Sequence, residues 1–232
     1  PKGGKLFNSI YQYLFKISQK YQYHSVLFNS TYSLNSYNQT LTSVKHYSTK
    51  YIVNPAVFTL KYEKNIGIYP SAGSIRVCIV TRPHPRKGYQ QFLEIAKHSK
   101  LKGVNYIVIS QDDLDSELKS VTHVKPRSDK EYVDALKQCH FVLSTSTFEG
   151  FGLALIEAMA LGIVPIAFYN PGMDEFNTEK NITIIDNTVD FDNEITKIAS
   201  DKDRYIKLSD SAIKSASEFT TQNFYFSMMN KI

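Results

Sequence analysis

Phe148-Glu149-Gly150-Phe151-Gly152-Leu153-Ala154-Leu155-Ile156-Glu157-Ala158-Met159-Ala160 holds two glutamates with seven residues between them. They bracket a Gly-Phe-Gly turn and the start of an apolar helix. One carboxylate therefore stands beside a glycine-lined helix N-terminus, and the second lies about two turns further along. Glycines let backbone amides approach an anion, and the helix dipole favours negative charge at that end. Carboxylates accept hydrogen bonds from hydroxyl groups. The arrangement suits a ligand carrying both a phosphate and several hydroxyls.

Outward from this stretch the pattern is regular. Apolar runs occur at Val77–Val80, Tyr106–Ile109, His123–Val124, Phe141–Leu143, Ile163–Ala167 and Ile182–Ile185. Helical patterns alternate with them at 88–100, 112–119, 128–138, 152–161, 190–200 and 202–218. Short apolar strands joined by helical crossovers predict a Rossmann-like, doubly wound parallel sheet covered on both faces. Ligands bind such sheets at the carboxyl ends of strands, around a topological switch point. The Gly-Phe-Gly turn follows one predicted strand, and the basic loop Thr81-Arg82-Pro83-His84-Pro85-Arg86-Lys87-Gly88 follows another. Arg82, Arg86 and Lys87 in this loop offer a diphosphate the planar fork of arginine and the point charge of lysine. For Arg86 a phosphate contact and simple solvation are both open. Asn170-Pro171-Gly172-Met173, after a later strand, reads either as a turn or as a ligand contact. Glu157 lies among Leu153, Leu155, Ile156, Ala158 and Met159, where a carboxylate without a partner is costly, so a ligand or cation is expected to meet it.

The first part of the chain differs in character. Residues 1–64 hold eight lysines and one acid, Glu63, while the remainder holds 19 basic and 21 acidic residues. The segment also has nine of the 16 tyrosines. An anionic membrane surface and an ordinary solvated face are equally compatible with this balance. Nucleic acid is not expected, because no binding motif accompanies the charge. Leu6, Ile10, Leu14, Ile17 and Tyr21 predict an amphipathic helix over 5–22. Val26–Phe28 and Lys50–Val53 predict short strands, with a polar helix or loop over 34–47 between them. Glu63–Ser74 predicts a loop.

At 232 residues, 42% hydrophobic and 21% charged, the composition is that of a globular protein. No apolar run is long enough to span a bilayer. Pro1–Lys5 leads into a mixed polar and aromatic segment without a secretory leader pattern, so a cytoplasmic location is expected. Cys78 and Cys139 sit in apolar runs and predict buried reduced thiols. The histidines show no metal-ligand spacing.

Arg82-x4-Lys87-Gly88, Glu149-x7-Glu157 and Gly162-x2-Pro165 together resemble the donor half of the family-4 retaining glycosyltransferases of the GT-B fold, over about residues 76–218. The resemblance implies that Arg82 and Lys87 hold the donor diphosphate. It implies that Glu149 contacts the donor sugar and Glu157 the ribose, with Gly150, Phe151, Gly152 and Leu153 bringing backbone amides to the phosphate or sugar. It further implies transfer from a nucleoside-diphosphate sugar to a glycan or lipid-linked acceptor, with no metal or other cofactor. Peripheral contact with the inner membrane face belongs to the same expectation. The corresponding division of the chain is 1–70 as the tail of a preceding domain plus a crossover linker, 71–220 as the nucleotide-sugar domain, and 221–232 as a helix returning toward the preceding domain. The chain then reads as the C-terminal piece of a longer enzyme or as a short member of the family. A non-catalytic module of the same fold, binding a partner glycosyltransferase or a glycan, is the alternative.

Overall fold

The computed structural model describes residues 25–40, 49–62, 69–70, 74–114, 118–177 and 181–231. The helix expected over 5–22 lies outside them. The first unit is small: β1 (Ser25–Phe28), α1 (Thr31–Thr40) and β2 (Thr49–Ile52), with β1 and β2 paired in parallel. A short 3-10 turn, Phe58–Lys61, then leads toward the main sheet.

That sheet is built from β3 (Ile75–Val80), β4 (Val104–Ile109), β5 (Val121–Val124), β6 (Phe141–Ser144), β7 (Val164–Ala167) and β8 (Thr183–Ile184). Its spatial order is β5-β4-β3-β6-β7-β8, and every pairing is parallel. Connecting helices are α2 (Tyr89–His98), α3 (Asp129–Lys137), α4 (Leu153–Ala160) and α5 (Thr188–Ala199). The chain closes with α6 (Lys202–Ala216) and α7 (Thr221–Met229).

The central strands β3, β4, β6 and β7 bury both faces, and their residues divide between two cores by the period of two. Cys78, Ile107 and Val142 face a core completed by α3 and α4. Val77, Ile79, Val108 and Phe141 face the other, completed by Phe92 of α2 and Phe191 of α5. Burial of each large apolar side chain contributes roughly 1.5–3 kcal/mol. The Phe141 ring is fully buried, so truncating it to alanine costs about 3–5 kcal/mol. Both cysteines are buried and free, as expected.

Starting from β3, the chain lays down β4 and β5 on one side, then returns to place β6 beside β3 and continues the other way. The strand order reverses between β3 and β6. The two loops leaving their carboxyl ends therefore diverge from one point, and a crevice opens there.

One expectation needs correction. No helix occupies residues 112–114 or 118–119 of the stretch predicted over 112–119. Asp112 N–H instead bonds Ser110 Oγ at 3.1 Å, and Lys125 Nζ holds Asp113 at 2.6 Å. The Ser110 hydroxyl, by taking a backbone amide two residues on, competes locally with helix formation. At the C-terminus, Lys231 Nζ donates to the Ile52 carbonyl at 2.6 Å.

Candidate functional site

The loop after β3 and the loop after β6 are stitched together. Thr145 Oγ1 donates to the Gly88 carbonyl at 2.7 Å, and Thr147 N–H donates to the Arg86 carbonyl at 3.0 Å. Within the first loop Thr81 Oγ1 donates to the Lys87 carbonyl at 3.1 Å. His84 Nδ1 accepts from Arg86 N–H at 3.2 Å, so this histidine shapes the turn. Gly88 has φ 70°, and a Cβ there would stand 2.1 Å from the Thr145 carbonyl oxygen. Only glycine permits the approach.

Lys87 is the product of this stitching. Its Nζ lies 2.8 Å from both carboxylate oxygens of Glu149. The Glu149 side chain is 18% exposed and that of Lys87 39%. The main chain at Glu149–Gly150 is clamped from two further sides. Ser30 Oγ, from the turn before α1, donates to the Gly150 carbonyl, and Ser33 Oγ lies 3.4 Å from it. On the other side Gly172 passes so close that a Cβ would stand 2.2 Å from the Glu149 carbonyl oxygen. Asn170 Oδ1 accepts from Gly172 N–H at 3.1 Å and holds that turn in place.

α4 begins immediately beyond. Its N-cap, Gly152, has no side chain to bond the first-turn amides, which leaves that end suited to an anion. Further along the helix, Glu157 accepts a hydrogen bond from Tyr132 Oη at 2.9 Å. Burial raises its carboxyl from 4.5 to about 7; the charge of Asp129 adds to the rise and the Tyr132 hydrogen bond opposes it. Burial likewise pushes the Tyr132 hydroxyl upward, reinforced by the Glu157 charge.

These groups share one cleft of about 740 Å³, a size usual for small-molecule sites. Arg82, Lys87, Glu149, the Gly150–Leu153 run and Glu157 all line it. Arg86 does not: its guanidinium sits over the Phe148 ring, 5.6 Å from the centroid. Asn170 lines the cleft as well as making its turn. Beyond Glu157 the cleft continues past Tyr132 to Gln111 and Arg127 at the ends of β4 and β5. Among the described residues no cluster of three or more His, Cys, Asp or Glu could hold a metal ion. His140 is structural: its Nδ1 accepts from Arg76 N–H at 3.0 Å, and burial lowers it to about 4.

Sequence reasoning missed Tyr132, Ser30 and Ser33. Nothing local distinguishes Tyr132 from the other tyrosines, and the serines act across more than a hundred residues of chain.

Residues 63–218, well over half of the chain, match the family described as Glycosyl transferases group 1. No curated protein sequence matches the chain significantly. Among solved structures, Anabaena Alr3699/HepE in complex with UDP and glucose superposes with a TM-score of 0.73 at 19% identity, covering 94% of this chain and 65% of that one. A variant of S. aureus TarM in complex with fondaparinux, α-GlcNAc-glycerol and UDP gives 0.69 at 19% identity, covering 94% and 45%. Sucrose-phosphate synthase from Thermosynechococcus elongatus gives 0.66 at 19% identity, covering 89% and 57%. At these identities the likeness establishes the fold, a parallel α/β sheet of GT-B type. The chain spans between 45% and 65% of the length of these structures.

Proposed function

The chain belongs to the group 1 glycosyl transferases, a family of enzymes, and from that premise we propose that it carries the donor half of a retaining, family-4 type glycosyltransferase. The donor is a nucleoside-diphosphate sugar, and the acceptor is a glycan or a lipid-linked glycan. The observation that carries this reading is the convergence of Lys87, Glu149, the open N-terminus of α4 and Glu157 on one cleft.

The chemistry follows from that geometry. When the bond from the sugar's anomeric carbon to the diphosphate breaks, the electron pair leaves with the diphosphate. Negative charge then builds where Arg82, Lys87 and the first-turn amides of α4 face the cleft, and preplaced cations and dipoles stabilise that charge. Glu149 takes hydroxyls of the transferred sugar, and Glu157 takes those of the ribose. In the ligand-free protein Lys87 and Glu149 satisfy each other, so neither charge is left without a partner. An arriving donor gives each of them a new one. The expected setting is the cytoplasmic face of a membrane that supplies the acceptor; no helix among the described residues is long and apolar enough to cross one.

Calorimetric titration of the full chain with UDP, GDP and ADP tests the reading. One of the three should bind, and the matching nucleotide sugar should compete with it. A correctly folded chain that binds none of them would overturn it.

A further inference from the structure

Glu157 is fixed at both ends of the residue. Its side chain is held from α3 by the Tyr132 hydroxyl, 2.9 Å from Oε2. Its main chain is held from the linker: Thr59, fully buried, donates through Oγ1 to the Glu157 carbonyl at 2.9 Å. That bond has a structural cause. Near the end of α4, Leu161 N–H bonds the Ala158 carbonyl instead of the one four residues back. A helix end leaves such carbonyls without an intrahelical donor, and the threonine hydroxyl supplies one. Phe58, next to Thr59, packs on the Tyr132 ring with centroids 6.0 Å apart and planes inclined by 31°. Lys61 Nζ closes the turn over the Phe58 ring, 5.8 Å from its centroid.

The geometry points to Tyr132 as the positioning residue for ribose recognition, braced by the Phe58–Thr59 turn of the linker. This rests on the reading of Glu157 as the ribose contact. Tyr132 occupies one carboxylate oxygen and thereby sets the direction of the other, which accepts from the 2′,3′-diol. A half-buried carboxylate that accepts from both Tyr132 and the ribose holds its charge, whereas one left with the ribose alone turns or takes up a proton. The linker reaches the ribose site through two contacts, Thr59 to the Glu157 backbone and Phe58 to Tyr132. It is therefore part of the donor site.

Of the ionisable groups on the surrounding elements, Asp129 in the first turn of α3 acts on the Glu157 carboxyl and Cys78 of β3 on the Tyr132 hydroxyl, while Arg127 lines the same cleft. α6, packed against α4, contributes buried Ala212 and Ala216, which do not ionise.

The test uses the full chain with UDP, GDP or ADP, whichever binds, and the 2′,3′-dideoxy form of the same nucleotide. The native protein should favour the ribose form by roughly tenfold or more, the range of a hydrogen bond to a charged group. Tyr132→Phe keeps the ring and should reduce that preference several-fold while leaving affinity for the dideoxy form unchanged. The preference should also disappear at a higher pH in this variant than in the native protein, because the lost hydroxyl no longer favours the charged carboxylate. Phe58→Leu, which keeps the hydroxyl but removes the brace, should lower the same ratio by less. Equal weakening of both nucleotides, or an unchanged ratio in Tyr132→Phe, would overturn the inference while leaving the donor-site reading intact. Absence of any nucleotide binding to the native chain would remove both.

Discussion

Replacing Glu157 by glutamine should make the ligand-free protein more stable above neutral pH while weakening its hold on the nucleotide. Burial, with Asp129 adding to it, lifts the carboxyl from 4.5 to about 7 in the folded state. In the unfolded chain the group ionises near its ordinary value. Between these limits the folded protein holds a proton that the unfolded chain has lost, so stability from this group falls as pH rises through the window. Above about pH 7 the whole penalty stands, and the size of the shift corresponds to about 3 kcal/mol. Glutamine carries no charge and still accepts from Tyr132, so the variant should lack the decline. For a chain of this length the difference corresponds to a Tm raised by roughly 6–12 °C near pH 8. Near pH 4.5 the two proteins should melt much closer together. Scanning calorimetry at both pH values reads the result. A Tm difference that is the same at both, or absent at both, would refute the reasoning. The predicted pH-dependent difference, by contrast, would mean that the glutamate is retained for the ligand at a cost in stability, a common arrangement at functional sites.

Glu149→Gln removes the partner of Lys87, so a nucleoside diphosphate lacking its sugar should bind several-fold more tightly by calorimetry, while sugar transfer by the complete enzyme falls; weaker nucleotide binding would contradict this. Gly88→Ala places a Cβ 2.1 Å from the Thr145 carbonyl oxygen and should destabilise the fold by more than about 2 kcal/mol in urea unfolding; a near-neutral result would mean that the two loops can separate freely. If the basic segment of residues 1–64 meets a membrane, the chain should sediment with anionic vesicles and be released as salt rises, whereas equal recovery with neutral vesicles would leave the segment a solvated face.

The parallel sheet was legible because its signals are local. Strands such as Val77–Val80 and Tyr106–Ile109 read as uninterrupted apolar runs, and the helices between them carry their own periodicity. All six expected strands formed within a few residues of their predicted limits. The stretch over 112–119 misled because its apolar residues, Leu114 and Leu118, sit at helical spacing yet reach the sheet's core from backbone that is not helical at either residue. Spacing reports which residues seek burial, not which backbone conformation delivers them. Arg86 and Lys87 show the same limit at the site: adjacent in sequence and alike in charge, they diverge because one stacks on Phe148 and the other reaches Glu149.

What the sequence determined by itself is the framework: a doubly wound sheet, a glycine turn before an apolar helix, and two glutamates about two turns apart. Those features depend on neighbours within a few residues, where propensity and periodicity act. What only the tertiary structure decided is the pairing of the charged groups. Lys87 meets Glu149 from 62 residues away, Thr59 reaches the Glu157 backbone from 98, and Tyr132 meets the Glu157 carboxylate from 25. Glu157, expected to meet a ligand or a cation, is also held by a tyrosine hydroxyl. No local rule selects such partners, because they meet only where the order of strands in the folded sheet brings separate loops to the same crevice.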